Sequence, residues 1–290
     1  MVLLLADLSP AENASAPEAL DRQAQGIAYF KQREYRKAVV EFEAVLDADS
    51  TDVQVLYALG ACRHNLHEYD RAAALFRAAL ARDPALGKAR RALALALLEE
   101  ARAQLAGNQH QAALQVLTEA AGWDSTNAAI RHHVGLVYSR MGRAEEAFDA
   151  YLKAAELDSA YAPAYAALGS VLLKRSAYAE AIGYLERAHA LQRGDAKVTE
   201  NLALAYERMA HEHNQQAQYA AAAEAARKSL EYDPQHVASR VALGEAYEGS
   251  GDTARALEQY RVAVRDLMWE QYVEDRIKRL TGAHEEPLGD

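Results

Sequence analysis

Residues 53–86 read VQVLYALGACRHNLHEYDRAAALFRAALARDPAL, and the expected architecture follows from this stretch. It carries the step Leu59-Gly60 in its first half, Phe76 in its second half and Pro84 near its end. The same frame returns along most of the chain with a period of roughly 34 residues, which is typical of a helix–turn–helix repeat. One such hairpin cannot bury its own apolar face, whereas stacked copies can. The sequence therefore predicts an all-α solenoid, and its function becomes a question about its surface.

The repeated frame resembles the tetratricopeptide repeat, whose pattern has a Leu-Gly step, a Tyr three residues later, then Ala-x-x-x-aromatic and a final Pro. The resemblance extends from about Ala19 to Trp269 and implies a right-handed α-solenoid of about seven helix hairpins. A small residue is needed at the step because two helix backbones approach closely there. That small residue recurs as Gly26, Gly60, Ala94, Gly135, Gly169, Ala203 and Gly244.

The period divides the chain into seven repeats that form one elongated domain, because no Pro/Ser/Gly-rich linker interrupts them. A disordered tail is predicted before the repeats (1–18) and another after them (282–290). The predicted repeats are 19–52, 53–86, 87–127, 128–161, 162–195, 196–236 and 237–270.

A capping helix over residues 266–281 is predicted to cover the last hairpin, as solenoid ends require. We expect its apolar residues to face that hairpin and its charged residues to face water. The apolar set is Trp269, Val273, Ile277 and Leu280, and the charged set is Asp275, Arg276, Lys278 and Arg279.

Repeats three and six are each about seven residues longer than the others, which is close to two helical turns. Matching Gly107 with Gly142, and Ala217 with Ser176, places most of the extra length before the turn between the two helices. The first helix of these two hairpins should therefore overhang its neighbours. The overhang is either a neutral length variant or a ledge for docking or oligomerisation.

Composition excludes several function classes. The net charge of −10 and the pI near 5.5 argue against non-specific binding to nucleic acid or to an anionic membrane. No apolar run approaches the length of a membrane span. Cys62 is the only cysteine, so an intrachain disulfide is impossible, and we expect it to be inert packing.

The N-terminus leaves the compartment open. Residues 1–6 are apolar, and Ala14-Ser15-Ala16 looks like a signal-peptide cleavage site. A secretory signal also needs a positive n-region and a longer apolar core, which are missing here. We therefore predict a disordered tail and a cytoplasmic protein. A remnant signal peptide is the alternative, and it would make the protein periplasmic.

No pattern in the sequence predicts catalysis, a cofactor or a metal site. The chain has ten histidines, yet none stands with Asp, Glu or Cys at a convincing ligand spacing, so surface histidines are the preferred interpretation. Phosphate loops, G-x-S-x-G and H-E-x-x-H are missing from the sequence. We expect a protein that is not an enzyme.

The resemblance also implies where a partner binds. In the family, the first helix of each hairpin lines a concave groove, and five positions of that helix face it. One residue, Asn201, matches the asparagine ladder with which some relatives hold a peptide backbone. The other predicted groove residues are Tyr57, His64, Asn65, Lys88, Arg91, Leu95, His132, Leu136, Arg140, Leu173, Lys174 and Arg208.

The charges of this predicted groove are uneven. Its middle is basic although the chain is acidic, and its last repeat is acidic through Glu245 and Glu248. Leucines alternate with the cations. Tyr57 is the aromatic residue at a groove position. Four other tyrosines share one turn position and should pack on the following hairpin, and these are Tyr35, Tyr69, Tyr178 and Tyr219.

These features predict a protein-interaction scaffold or adaptor that binds a protein or peptide segment with acidic and apolar side chains. Such a segment could be extended or helical. The competing interpretation is a solvated face with incidental charges. Two alternative functions stay open at this stage. One is a self-assembling scaffold, hence a homo-oligomer, that uses the overhanging helices. The other is an accessory subunit of an enzyme, envelope or secretion complex.

Overall fold

A computed structural model describes residues 17–282 of the chain, and throughout this range the only regular secondary structure is helix. Ala and Leu are strong helix formers and are abundant in these segments. The helices are α1 (Pro17–Lys31), α2 (Tyr35–Ala48), α3 (Val53–Asn65), α4 (Tyr69–Arg82), α5 (Gly87–Ala106), α6 (His110–Trp123), α7 (Ala128–Arg140), α8 (Ala144–Leu157), α9 (Ala162–Lys174), α10 (Tyr178–Leu191), α11 (Ala196–Gln215), α12 (Tyr219–Tyr232), α13 (Val237–Gly249), α14 (Thr253–Ala263) and α15 (Glu270–Thr281).

The helices fall into two compact units. The first unit ends at Leu157 and contains α1–α8, and the second begins at Asp158 and contains α9–α15. Within each unit, every odd-numbered helix up to α13 packs against the helix that follows, and each hairpin packs on the next. This nearest-neighbour packing confirms the predicted all-α solenoid class within both units. We call the first helix of each hairpin its A helix and the second its B helix.

Five of the hairpins are closed where a glycine of the A helix meets a large side chain of the B helix. At Gly60, a Cβ atom would lie 2.7 Å from Cε1 of Phe76, closer than real contacts allow. Phe76 itself is fully buried. The predicted close approach of two helices is therefore real, and glycine is required for it. The same arrangement joins Gly26 to Phe42, Gly135 to Tyr151, Gly169 to Leu185 and Gly244 to Tyr260.

The turn between A and B helices has the same backbone in all seven hairpins. After α3, the His67 N–H donates to the carbonyl of His64, and the Glu68 N–H donates to the carbonyl of Arg63. These two bonds form a Schellman motif, which needs one residue in the left-handed region. That residue is Arg33 (φ 61°), His67 (62°), Asn108 (57°), Gly142 (75°), Ser176 (59°), Ala217 (56°) or Gly251 (83°).

The turn of the third hairpin lies one residue later than predicted. The alignment paired Gly107 with Gly142, but the left-handed residue is Asn108, and Gly107 instead ends α5 with its N–H donating to Ala103. Asparagine tolerates the left-handed region because its short side chain can form local hydrogen bonds. A glycine next to an asparagine is therefore an ambiguous marker of this turn.

The A helices of the third and sixth hairpins overhang as predicted. Helices α5 and α11 have 20 residues each, against 13 in α3 and α13. The extra length corresponds to about 10 Å at 1.5 Å per residue. In both cases the added turns lie at the C-terminal end of the helix, before the A–B turn.

The C-terminal helix caps the last hairpin, but it starts later than predicted. It begins at Glu270 rather than Asp266, because the Asp266 carboxylate accepts a 2.9 Å hydrogen bond from the Met268 N–H and closes a turn there. Val273 is fully buried against the last hairpin, as expected. Arg276 does not face water: its guanidinium is 3.0 Å from the Glu248 carboxylate.

Most of both predicted tails lies outside the described residues. The exception is that Pro17 and Glu18 already belong to α1, and Gly282 ends α15 in the left-handed conformation. Over residues 17–282, no helix is both long and apolar enough to span a membrane. Cys62 is fully buried in α3, and burial raises the pKa of its thiol to about 12, so the thiol stays neutral and shielded.

Candidate functional site

In the first unit, corresponding positions of neighbouring A helices form one continuous surface. Lys88 at the start of α5 donates a 2.8 Å hydrogen bond from Nζ to Oε1 of Gln54 in α3. The same ammonium lies 4.9 Å from the centre of the Tyr57 ring, within range of a cation–π contact. Lys88 is thus held in place, and the groove positions of α3 and α5 touch each other.

Tyr57 does not offer its ring to a ligand, contrary to the prediction. It is only 4 % exposed, and its ring packs on Phe76 with centroids 5.7 Å apart. Lys88 covers the remaining side. In a regular repeat the residue at this position faces the groove, but here neighbouring side chains cover its ring. Tyr57 therefore belongs to the core of the second hairpin.

Two arginines of this surface are available for a partner. Arg91 in α5 and Arg140 at the end of α7 are both exposed. Neither has a carboxylate within salt-bridge distance in the part of the chain that the structure describes. Leu95 and Leu136, on the same two helices, are half-buried and keep part of their apolar surface open. The surface therefore combines unneutralised cations with accessible leucine side chains.

A pocket of about 410 Å³ opens in the first unit, and we call it the turn pocket. It brings together three predicted groove residues: His64, Asn65 and Leu95. The sequence prediction missed its remaining lining, which comes from the A–B turns, the starts of B helices and the far end of α5. These residues are Arg33, Tyr35, His67, Tyr69, Glu99 and Arg102. The repeated turn was the signal that could have identified four of these six residues, Arg33, Tyr35, His67 and Tyr69.

The turn pocket is polar, and its lining has two arginines, Arg33 and Arg102, and one carboxylate, Glu99. Glu99 pairs with Arg102 at 2.9 Å. Nδ1 of His67 shares a 2.6 Å hydrogen bond with the Tyr69 hydroxyl. His64 is only 7 % exposed, and within residues 17–282 neither of its buried ring nitrogens has a hydrogen-bond partner. Burial lowers the pKa of His64, so its imidazole is held neutral and contributes no charge.

The adjacent histidines of α7 are packing residues. The His132 ring lies 5.4 Å from the Tyr151 ring and 5.2 Å from the His133 ring. Burial lowers the pKa of His132 to about 4, so it is neutral near pH 7. It adds no positive charge to the predicted groove. Among the described residues, no group of three or more His, Cys, Asp or Glu side chains is arranged to hold a metal ion.

In the second unit, two of the four predicted groove residues are engaged within the fold. Asn201 donates a 3.1 Å hydrogen bond to the Ser170 hydroxyl, which ties α11 to α9. Arg208 lies 3.3 Å from the neighbouring Glu207 carboxylate. Lys174 is exposed at the end of α9, and Leu173 beside it is half-buried. This face therefore offers less unneutralised charge than the face of the first unit.

The acidic end of the predicted groove is covered by the chain itself. Glu248 accepts hydrogen bonds from Arg276 (3.0 Å) and from the Tyr260 hydroxyl (2.8 Å). Glu245 accepts a hydrogen bond from the Tyr272 hydroxyl. A cleft of about 540 Å³ remains beside α15, and its lining includes His211, Asn214, Gln215, Tyr219, Glu245, Glu248, Tyr272 and Arg276.

Tyr219 shows how the tyrosines at the turn position are used. It begins α12, and a Cβ atom on Gly249 would lie 2.2 Å from its ring carbon Cε1. The ring therefore packs on the end of α13 in the next hairpin, as predicted. The three tyrosines at the same position begin α2, α4 and α10, and these are Tyr35, Tyr69 and Tyr178.

Comparison with known proteins places these features in context. A family model described as tetratricopeptide repeat matches residues 24–87 and 202–267, and a second model with the same description matches residues 128–161. None of the curated proteins matches the sequence.

Solved structures with a similar course include MamA (41-end) from Desulfovibrio magneticus RS-1, at 21 % identity and a TM-score of 0.49 over 63 % of this chain and 99 % of that one. YrrB, described as a TPR protein with an unusual peptide-binding site, aligns at 18 % identity and a TM-score of 0.47 over 68 % of this chain and 95 % of its own.

Proposed function

The chain belongs to the tetratricopeptide repeat family, whose members bind proteins and peptides, and we propose that it is a scaffold that holds a partner segment against the A helices of its first unit. The surface that we assign to this role contains Arg91, Leu95, Leu136 and Arg140, and we call it the basic face. The turn pocket is lined partly by the same helix, α5.

One observation carries the proposal: the basic face presents two exposed arginines that the rest of the described chain does not neutralise. On a chain with a net charge of −10, carboxylates are plentiful, and several other arginines pair with one, among them Arg63, Arg77 and Arg143. An unpaired guanidinium can grip a carboxylate through two hydrogen bonds. The cations of the basic face are thus suited to a partner that supplies acidic side chains.

The apolar component of the ligand follows from the leucines. Leu95 and Leu136 are half-buried, so a partner can cover the part that stays open and remove it from water. A segment that alternates acidic and apolar side chains satisfies both requirements, whether it binds as a strand-like or a helical peptide. Specificity then depends on the charges and most of the affinity on the apolar contacts.

The scaffold itself is preorganised for this binding. Lys88, at the edge of the basic face, is fixed by its hydrogen bond to Gln54 and its contact with Tyr57. Both α5 and α7 pack against their own B helices, α6 and α8. Because these elements are already ordered, little chain entropy is lost on the scaffold side when a segment docks.

A peptide-display selection tests the proposal. The wild-type chain should enrich sequences that contain both acidic and apolar residues. The double variant Arg91→Glu/Arg140→Glu should bind the enriched peptides more weakly by more than about tenfold, because it replaces attraction by repulsion. The melting temperature should stay nearly unchanged, since both side chains are exposed.

The matched control is Arg36→Glu/Arg261→Glu, which makes the same change of charge at exposed arginines of the B helices α2 and α14. It should leave peptide binding unaffected. If both double variants weaken binding equally, the effect is long-range charge and not the basic face. If neither does, the partner binds elsewhere.

A further inference from the structure

The linker between α14 and α15 exposes two large apolar side chains. Leu267 is 88 % exposed and Met268 is 91 % exposed, the highest values among the large apolar residues that the structure describes as exposed. Both lie in the turn that follows Ala263 and precedes Glu270. Exposing leucine and methionine to water at a turn is unfavourable. Polar residues would be more favourable in that turn, and so would a linker conformation that covers these two side chains.

The spacing of Leu267 continues the buried stripe of α14. Ala256, Tyr260 and Ala263 are all fully buried and follow one another at intervals of four and three residues. Leu267 is the next position in this series, four residues after Ala263. If the linker were helical, Leu267 would therefore lie on the same face as the core residues of α14.

Nothing in the linker composition opposes a continuous helix. Residues 264–269 read VRDLMW, with neither glycine nor proline. What holds the turn in the monomer is Asp266: its carboxylate accepts the Met268 N–H at 2.9 Å, and its carbonyl accepts the Trp269 N–H at 3.0 Å. A helix from 253 to 281 competes with this local turn, and the Asp266 side-chain bond is one of the contacts that favour the turn.

Helix α15 docks mainly through its own residues, and from the linker Val264 and Trp269 pack on the same cluster. Val273 is fully buried in the cluster formed with α13 and α14. Arg276 pairs with Glu248 at 3.0 Å, and Arg279 is 3.9 Å from the same carboxylate. An identical α15 from a second copy can make the same contacts with α13 and α14, because only the connection to α14 differs.

We propose that two copies of the chain exchange α15. In the exchanged dimer, α14, the linker and α15 form one continuous helix, and each α15 caps the last hairpin of the other copy. The contacts between α15 and the last hairpin are the same as in the monomer, and Leu267 becomes buried where the two extended helices cross. Exchange of an identical element gives a closed, two-fold symmetric dimer at little energetic cost. This self-association surface is separate from the basic face.

Solution mass as a function of concentration tests the proposal with three variants of the full chain. The wild type should show a monomer–dimer equilibrium. Asp266→Ala removes the side-chain bond of the turn and should shift the equilibrium toward the dimer. Leu267→Asp should raise the dissociation constant by more than about tenfold, because a carboxylate replaces a leucine that the dimer covers. Val40→Asp changes an exposed valine of α2 and should leave the equilibrium unaltered.

A mixing experiment distinguishes exchange from other dimers. Arg276→Glu and Glu248→Arg each place like charges between α15 and its own hairpin. When the two variants are mixed, an exchanged heterodimer contains one restored pair and one reversed pair, and both are attractive. The mixture should therefore form a one-to-one dimer that neither variant forms alone.

Two results would overturn exchange of α15. The first is a monomer at every concentration for both the wild type and Asp266→Ala. The second is a dimer that is indifferent to Leu267→Asp and to the charge-swapped mixture, which would assign self-association to a different surface.

Discussion

Replacing Ala217 by glycine should stabilise the sixth hairpin, although the same exchange lowers stability at most helical positions. Ala217 is the left-handed residue of the α11–α12 turn, with a φ of 56°, and its side chain is exposed. A non-glycine residue in that region costs roughly 1–2 kcal/mol. Glycine removes this cost but loses more entropy on folding, by about 0.4–1 kcal/mol. The net expectation is a gain of about 0.5–1 kcal/mol.

The assay should report on the hairpin itself, since repeat proteins can open in parts. Native-state hydrogen exchange of the amides in α11 and α12, followed by mass spectrometry, gives that local free energy. The backbone bonds of the turn run from the Ala217 N–H to Asn214 and from the Gln218 N–H to His213, and neither involves the side chain that is removed. Slower exchange in the glycine variant is the expected result.

Two control variants give the comparison its meaning. Ala103→Gly makes the same chemical change at an exposed position inside α5 and should destabilise by about 1 kcal/mol. Asn108→Gly changes a turn residue that already tolerates the left-handed region, so its gain should be smaller than at Ala217. Equal loss of stability in Ala217→Gly and Ala103→Gly would refute the reasoning, because it would mean that the turn carries no strain.

Three further predictions follow from the packing. Gly60→Ala should cost at least about 1 kcal/mol in unfolding free energy, measured by denaturant titration, because its Cβ would lie 2.7 Å from Phe76. Ser229 and Ser239 share a buried 2.6 Å hydrogen bond, so each alanine variant should cost about 1 kcal/mol and the double variant less than the sum. Burial lowers the pKa of His132 to about 4, so the unfolded chain binds more protons between about pH 6.5 and 4 and stability should fall as pH falls through that window. His132→Phe should flatten that slope in unfolding curves recorded across it.

Matched changes check these three expectations. Gly122→Ala, where a Cβ meets nothing within 4 Å, should be neutral or stabilising by up to about 1 kcal/mol. If it destabilises as much as Gly60→Ala, helix contact is not the cause. Strict additivity of the two serine variants would show that their hydroxyls act independently. An unchanged pH slope in the His132 variant would assign the acid sensitivity to other groups.

The helical hairpins were predictable because the same pattern of small and large residues recurs in register along the chain. Small residues such as Gly60 and Gly135 recur at one position, and the structure places a buried ring against each of them, Phe76 and Tyr151. A single match would have been weak, but repetition in register leaves few alternatives. The long α5 and α11 were also evident, since an insertion shifts every later position of its repeat.

The details that failed depend on contacts that no period reveals. Tyr57 occupies a groove position by counting, yet Lys88 of the next repeat covers it. Arg276 has the pattern of a solvent-facing residue, yet Glu248 lies opposite it on another helix. The turn of the third hairpin moved by one residue because Asn108 suits the left-handed region as well as the adjacent Gly107. Lys88 and Glu248 are distant in sequence from the residues that they contact, and Asn108 suits the turn as well as Gly107 does. The repeat frame alone therefore could not predict these details.

The lining of the turn pocket was predictable in part. His64, Asn65 and Leu95 were assigned to the groove from their positions in the A helices, and they do line the same cavity. Arg33 and His67 were not assigned to the groove. They occupy the left-handed position of the turn, which is usually glycine, and glycine has no side chain that could line a cavity. Once the shared backbone of the turns is known, both follow directly from the repeat frame.

The sealed position of Cys62 has a practical consequence. As the only cysteine of the chain, and one whose thiol is buried with a pKa near 12, it should be invisible to maleimide reagents while the second hairpin stays closed. A cysteine introduced at an exposed turn, for example at Ala217, can then carry a fluorophore without removal of the native one. The rate at which Cys62 reacts would then report the rate at which α3 separates from the helices packed against it.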